Sequence, residues 1–315
     1  MRLKDIEKAE ITCLIDNSVD ILLQNNTIAY RPFISENWYL HPLIAEHGFC
    51  VAIKLKVNET EHNLLFDSGL NPISASHNAK VLGLDLNCNE IVISSHGHID
   101  HSGGLLNIRK GMDYKKHEQK IPLIVHKDAF RNRMVKFKDG RTINLPAPKR
   151  SELNDAGYSL VEKQNPSLWF EDGILVTGEI PRTNDFEKGF PSHYSEIDGK
   201  FEVDPLIKDD QSIVLNIKDK GIVIITGCAH AGIINIIQYA KELSGEDRIY
   251  AILGGMHLSG TVFEPLISRT IYELEKLKPK FIIPCHCSGL KAISEISKDM
   301  SNAFIQNSVG TTYVL

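Results

Sequence analysis

His96-Gly-His-Ile-Asp-His101 follows the apolar run Glu90-Ile-Val-Ile-Ser-Ser95 and precedes Ser102-Gly-Gly-Leu105. Histidines two apart on an extended segment face the same side, so His96 and His98 can share one cation. Asp100 and His101 begin the next turn, where a second cation fits. A single histidine is more often an ordinary hydrogen-bonded residue. Three histidines and a carboxylate within six positions instead form a donor set of the kind that binds divalent metals. The apolar run reads as a strand and Gly103-Gly-Leu-Leu106 as a helix start, which places the candidate ligands at a strand-to-helix turn.

Outward from this stretch, the C-terminal half repeats one theme. Three apolar runs each lead to a histidine: Gly221-Ile-Val-Ile-Ile-Thr-Gly-Cys-Ala-His230, Arg248-Ile-Tyr-Ala-Ile-Leu-Gly-Gly-Met-His257 and Lys280-Phe-Ile-Ile-Pro-Cys-His286. Helices are expected between them, over Ile233–Leu243 and near Pro265–Leu277; the first carries a buried stripe of Ile233, Ile234, Ile236, Ile237 and Ala240. A β-α-β-α-β succession favours parallel strands, so all three histidines should emerge at one carboxyl edge. In the N-terminal half, strands are expected over Ile11–Ile15, Cys50–Lys56 and Asn63–Phe66, and a short helix over Pro72–Leu82. The third strand ends in Asp67-Ser-Gly-Leu70, a tight turn.

The chain has 315 residues, 42% of them hydrophobic, enough for a large core. No interior linker divides it, so 1–315 reads as one domain. The charged, irregular stretch at about 107–170, with Lys110, Lys115, Lys116 and Lys120, reads in part as a surface insertion around one good strand, Ile121–His126. A formal charge of −5 excludes a broad basic footprint, so nucleic acid and anionic membranes are not expected partners. The start, Met1-Arg-Leu-Lys-Asp-Ile-Glu-Lys8, carries no apolar signal region, and no run reaches membrane length. Six cysteines spread over this length make no disulfide framework, which suits a reducing compartment; a cytoplasmic location is expected. Oligomeric state is not legible.

Taken together, Asp67-Ser-Gly69, the hexapeptide and the histidines at strand ends resemble the metallo-β-lactamase superfamily. Gly178-Glu-Ile-Pro-Arg182, Asp209-Asp-Gln-Ser212, Thr226-Gly-Cys-Ala-His230, Gly254-Gly-Met-His257 and Pro284-Cys-His-Cys287 are similar to a branch of metal-dependent hydrolases. That branch includes the dihydropterin-methyl-ribofuranosyl-aminobenzene-phosphate synthase of methanopterin biosynthesis. The resemblance implies an α/β fold of four layers, an αβ/βα sandwich, with two divalent cations at one edge. It assigns His96 and His98 to one cation and Asp100 and His101 to the other, with Asp67 supporting the ligand loop from behind and His286 as the last ligand histidine. Where many relatives carry a bridging aspartate this chain has Cys228, and His230, two residues on, is taken as a ligand. A histidine that many relatives carry upstream of that strand is replaced by Asp209-Asp210-Gln211.

Imidazoles with a carboxylate suit zinc, while manganese or iron fits the same nitrogen and oxygen donors. The expected activity is hydrolysis of a small phosphoester or ester by water that the cations activate, with Asp100 steering that water. His257 is a candidate proton donor or substrate contact, with a further metal ligand as the equal alternative. Cys228, Cys285 and Cys287 lack the CxxC spacing of structural zinc sites and read as buried thiols behind the ligands. The loop Gly178–Gly189 could cover the mouth, with Arg182 and Lys188 meeting an anionic small-molecule substrate. Two other functions fit the same donors: a pterin-phosphate condensing synthase, and a noncatalytic metal- or ligand-binding module.

Overall fold

The computed structural model describes residues 2–33, 36–112 and 120–315; Lys115 and Lys116 lie outside them. Two large sheets stand face to face. One has strands Ser167–Trp169, Ile174–Val176, Ile213–Ile217, Gly221–Thr226, Ile249–Gly255 and Phe281–Cys285 in that spatial order, with Asp5–Ile6 paired to Ile213–Ile217. The other runs Tyr158–Glu162, Ile121–Val125, Ile91–Ile93, Thr60–Asp67, Cys50–Val57, Lys8–Ile15, Thr312–Val314 and Ala29–Tyr30.

Strict alternation of side chains sorts the apolar residues into layers. Val223 and Ile225 face inward with Leu253 and Ile283 against Ile53, Leu64, Phe66, Ile91 and Ile93 of the opposite sheet. Their neighbours Ile222, Ile224, Ile252 and Ile282 face outward under helices Ile233–Ser244, Ile267–Leu277 and Leu290–Asp299. Leu65, Val92 and Leu123 do the same on the other side, beneath Ser74–Val81 and Leu105–Gly111. Helix, sheet, sheet and helix form the expected αβ/βα sandwich.

Gly221–Thr226, Ile249–Gly255 and Phe281–Cys285 pair in parallel, as the β-α-β-α-β rhythm predicts. Thr60–Asp67 runs parallel to Ile91–Ile93 and antiparallel to Cys50–Val57. The hairpin turn is Asn58-Glu59, both at positive φ, the twist that a two-residue hairpin needs. Helix boundaries fall within two residues of those expected.

Two segments of the 107–170 stretch belong to the sandwich itself. Ile121–Val125 and Tyr158–Glu162 are strands of the larger sheet, because their apolar side chains complete its outer face. Arg133–Lys136 and Thr142–Leu145 instead join His193–Ile197 and Lys200–Val203 in a small third sheet. This sheet abuts the mouth of the sandwich and supplies two residues to the site.

Candidate metal centre

The carboxyl ends of strands from both sheets meet at one edge. Ile91–Ile93 leads to His96, Thr60–Asp67 ends at Asp67, Gly221–Thr226 leads to Cys228 and His230, Ile249–Gly255 to His257, and Phe281–Cys285 to His286. Four residues at these ends lie in the left-handed backbone region: Asp67 (φ 62°), Ala229 (58°), His257 (45°) and His286 (47°). Such backbones cost energy and persist where the surroundings dictate them, a frequent mark of functional sites.

Two donor groups form. His96, His98 and His230 gather in one; Asp100, His101, His286 and Cys228 gather in the other, ligand atoms within 4.8 Å of one another in each. The hexapeptide thus meets two histidines more than 130 positions away. His230 Nε2 lies 3.2 Å from His98 Nδ1, and His101 Nε2 lies 3.2 Å from Cys228 Sγ. Asp100 Oδ2 is 3.3 Å from His286 Nε2 and 3.7 Å from His101 Nε2. Donors bonded tetrahedrally at about 2.0–2.3 Å are separated by roughly 3.3–3.8 Å, so these spacings are close to those a shared cation imposes. His96 Nε2 is fully buried and has no hydrogen-bond partner among the described residues, an orphan that a cation would satisfy. The residues fit divalent metal.

Supporting hydrogen bonds set which nitrogen faces the site. Asp67, wholly buried, accepts from Ser95 N (2.6 Å) and Ser95 Oγ (2.7 Å), and its Oδ2 lies 2.7 Å from His101 Nδ1. A proton on that Nδ1 leaves His101 Nε2 free as a donor to metal. Ser95 Oγ also lies 2.9 Å from His96 Nδ1, turning Nε2 of that ring inward. Gly97 passes so close to Ala129 that a Cβ would lie 2.0 Å from its carbonyl oxygen, so only glycine fits between the two histidines.

Sequence reasoning missed His193, on the third sheet. Its Nδ1 bonds the Asp204 carbonyl (2.8 Å), which requires the proton there and leaves Nε2 to accept from His98 Nε2 (3.1 Å). His98 then presents Nδ1, without a proton, to the site. No strand-end motif marks His193; its position is visible only once the third sheet is placed. Replacing His193 with alanine is expected to weaken metal affinity by about 10–100-fold. Titration of the apo protein with zinc checks this, and unchanged affinity removes the role.

Asp209-Asp210-Gln211 replaces the absent histidine with scaffolding. Asp209 accepts from Gly97 N (2.8 Å) and meets the buried Arg133 Nη2 at 2.6 Å. Asp210 accepts from Ala231 N, and Gln211 bonds the Ser94 and Ser95 carbonyls. Three successive residues therefore bind both ligand-bearing loops.

Arg182, expected to meet an anionic substrate, instead donates to the carbonyls of Ile180, Leu206 and His230. Its guanidinium is mostly buried and holds the His230 turn. Lys188 is exposed and lines a small pocket with Phe190, His257 and Phe263, on the side where His257 stands. His257 is partly exposed, its ring 4.3 Å from that of His230, and it joins Cys228 and His230 in a third donor cluster. His47, not singled out from the sequence, places Nε2 3.6 Å from Asp100 Oδ2 at the open side.

Burial, then the surrounding charges, pushes the pKa values of His96, His98 and His230 well below 6.5. Burial also acts on His101, but the carboxylates of Asp100 and Asp67 outweigh it and raise His101 to about 9. A histidine with a lowered folded pKa takes up its proton on unfolding, so its stabilisation is full above pH 6.5 and lost as pH falls. His101 works in the opposite direction, fully stabilising below 6.5 and losing that contribution as pH rises through 9. Below pH 6.5, His96, His98 and His230 therefore each withdraw up to ~1.4 kcal/mol per pH unit from metal-stripped protein, while Asp210, which burial raises to about 7, offsets one of them by releasing a proton on unfolding. Thermal midpoints in chelator between pH 7 and 5 measure this; a flat profile contradicts it.

Comparison with known proteins places these features in context. The sequence profile described as "Metallo-beta-lactamase superfamily" matches residues 45–243. A 7,8-dihydropterin-6-methyl-4-(beta-D-ribofuranosyl)-aminobenzene-5'-phosphate synthase of Methanocaldococcus jannaschii is 28% identical, over 84% of this chain and 89% of the relative. An uncharacterised protein of the same organism is 32% identical over 92% of this chain and 97% of its own length. Among solved structures, a metal-dependent hydrolase of the beta-lactamase superfamily superposes with a TM-score of 0.71 at 22% identity, covering 96% of this chain and 98% of that one.

Proposed function

Because the chain belongs to the metallo-beta-lactamase superfamily, we propose that it is a metal-dependent hydrolase acting on a small, anionic phosphoester or ester. The observation that carries this reading is the gathering of His96, His98 and His230 in one group and of Asp100, His101, His286 and Cys228 in another. His96, His98 and His230 would hold one divalent cation, and Asp100, His101 and His286 the other. When bound, such cations supply an activated water near neutral pH and stabilise the developing oxyanion. Zinc is the metal we assign.

The protein's own groups divide the remaining work. Asp67 and His193 fix the tautomers of His101 and His98, so the donors are oriented before substrate arrives. Asp100, partly exposed between the donors and the open side, can accept a hydrogen bond from the attacking water and aim its lone pair. His257 can deliver a proton to the leaving group, and Lys188 can meet an anionic portion of the substrate at the pocket's rim. Nucleic acid and membrane are not proposed partners: the charge is −5, and no helix among the described residues is long and apolar enough to cross a membrane. Six free cysteines support a cytoplasmic setting.

A second reading, a pterin-phosphate condensing activity, is favoured by the 28% identical relative that bears a synthase's name. One substrate screen separates the two. Turnover of phosphodiesters or esters without any pterin supports hydrolysis. Product formed only from a dihydropterin diphosphate and a ribofuranosyl-aminobenzene 5'-phosphate supports condensation. Metal-loaded protein inactive on both sets would overturn both readings.

A further inference from the structure

We infer that the His47 Nε2–H group donates a hydrogen bond to an anionic oxygen of the substrate, at the open side of the Asp100, His101 and His286 group. The inference rests on the hydrolytic reading above and adds a residue to it. His257 stands beside His230 at the margin of one donor group, and His47 stands beside His286 at the margin of the other.

The segment that carries His47 is fastened to the site from both sides. Glu46 N donates to the Asp16 carbonyl (3.0 Å), and Glu46 Oε1 accepts from Leu70 N (2.8 Å) and Asn71 N (2.9 Å) in the turn after Asp67. Phe49 N donates to the Asp100 carbonyl (3.2 Å), inside the hexapeptide itself. Between these anchors Gly48 passes so near that a Cβ would lie 2.9 Å from that same carbonyl oxygen and 2.9 Å from Leu70 N. A side chain at this position would push His47 away from the ligands. Yet the His47 side chain is 64% exposed, so burial of its own ring does not account for so closely held a backbone. A rigid backbone that presents a polar side chain at the mouth is what a substrate contact needs.

Asn17 settles which ring nitrogen carries the proton. Its Nδ2 lies 3.2 Å from the His286 carbonyl oxygen, which can only accept, so the orientation of the amide is fixed. Oδ1 is then the atom 3.3 Å from His286 Nδ1, which must carry a proton and leaves Nε2 of that ring to a cation. The other hydrogen of Nδ2 meets His47 Nδ1 (3.5 Å), which accepts and leaves the proton of the neutral ring on Nε2. That Nε2 is 3.6 Å from Asp100 Oδ2, longer than a hydrogen bond, while the same oxygen lies 3.3 Å from His286 Nε2. The N–H therefore has donor capacity to spare beside the atoms that would hold a cation. Contact with the His286 ring, centroids 4.8 Å apart, keeps it there.

An oxygen drawn to a cation held by Asp100, His101 and His286 arrives with negative charge. A directed N–H beside it adds a charge-assisted hydrogen bond without moving a proton. Phosphoryl and carboxylate oxygens are acceptors of this kind, and inorganic phosphate offers them in the simplest form.

Calorimetric titration of the zinc-loaded protein with inorganic phosphate tests this without turnover. His47→Phe keeps a ring against His286 and removes the N–H; it is expected to hold as much zinc as the parent and to bind phosphate about tenfold more weakly. His47→Gln, whose amide nitrogen can reach the place of Nε2, should stay within about threefold of the parent. Long-range nitrogen–proton spectra of the zinc-loaded parent, with His47→Phe identifying the resonance, should show the His47 proton on Nε2. Equal phosphate affinity in the parent and in His47→Phe would overturn the inference, as would a proton on Nδ1 or a parent that keeps its zinc and binds no phosphate. Each of these leaves the metal centre standing, and the hydrolytic reading is judged separately by the substrate screen. Loss of zinc in His47→Phe would make His47 a ligand and also overturn the donor role. A parent that holds no zinc would overturn the metal-centre reading with it.

Discussion

Replacing His96 with alanine is expected to abolish stable metal binding at its position and lower turnover by on the order of 10³-fold or more. His96 is wholly buried, its Nε2 has no partner among the described residues, and Ser95 holds its other nitrogen. Removing it leaves His98 and His230 with two lone pairs 3.2 Å apart and one donor too few. Asp100→Ala should act equally on the other cation, because its Oδ2 faces both His101 and His286. Elemental analysis alongside activity measures both effects. Full activity in a His96→Ala protein that holds no metal would end the hydrolytic account.

Arg133→Ala is expected to destabilise the whole fold by about 3–5 kcal/mol, although Arg133 is not among the gathered donors. Arg133 and Asp209 form an ion pair at 2.6 Å with both side chains about 1% exposed. Asp209 in turn holds Gly97 N in the middle of the hexapeptide, so an uncompensated carboxylate would be left beneath the ligand loop. Removing both charges together, as Arg133→Met with Asp209→Asn, should cost less than Arg133→Ala alone, since no buried charge is then unpaired. Urea denaturation of the three proteins decides the matter. A single variant within about 0.5 kcal/mol of the parent would show that the pair does not support the loop.

Much of this architecture was legible because its signals are local. The hexapeptide and the three apolar runs ending near His230, His257 and His286 carry strand periodicity and donor residues in the same few positions, and parallel order brought them to one edge. The turn at Asp67 was legible locally, while the part Asp67 plays behind the ligand loop was implied by the family resemblance. What escaped depends on long-range placement: His193 and Arg133 lie on the small third sheet, Arg133 within the charged stretch read in part as a surface insertion and His193 in a segment with no strand-end motif. Arg182 looked like an anion contact because a loop arginine usually reaches water, yet three carbonyls claim its guanidinium. Cys228 was visible as a departure from a family pattern, but only the folded positions of His101 and His230 give its sulfur neighbours.

The central claim is that imidazoles from separate strands assemble around two cations. Elemental analysis of the protein after reconstitution with zinc and removal of excess metal tests it most directly. The account predicts two zinc ions per chain in the parent, with fewer in His96→Ala and in Asp100→Ala. Well-folded parent protein that retains no metal would contradict it.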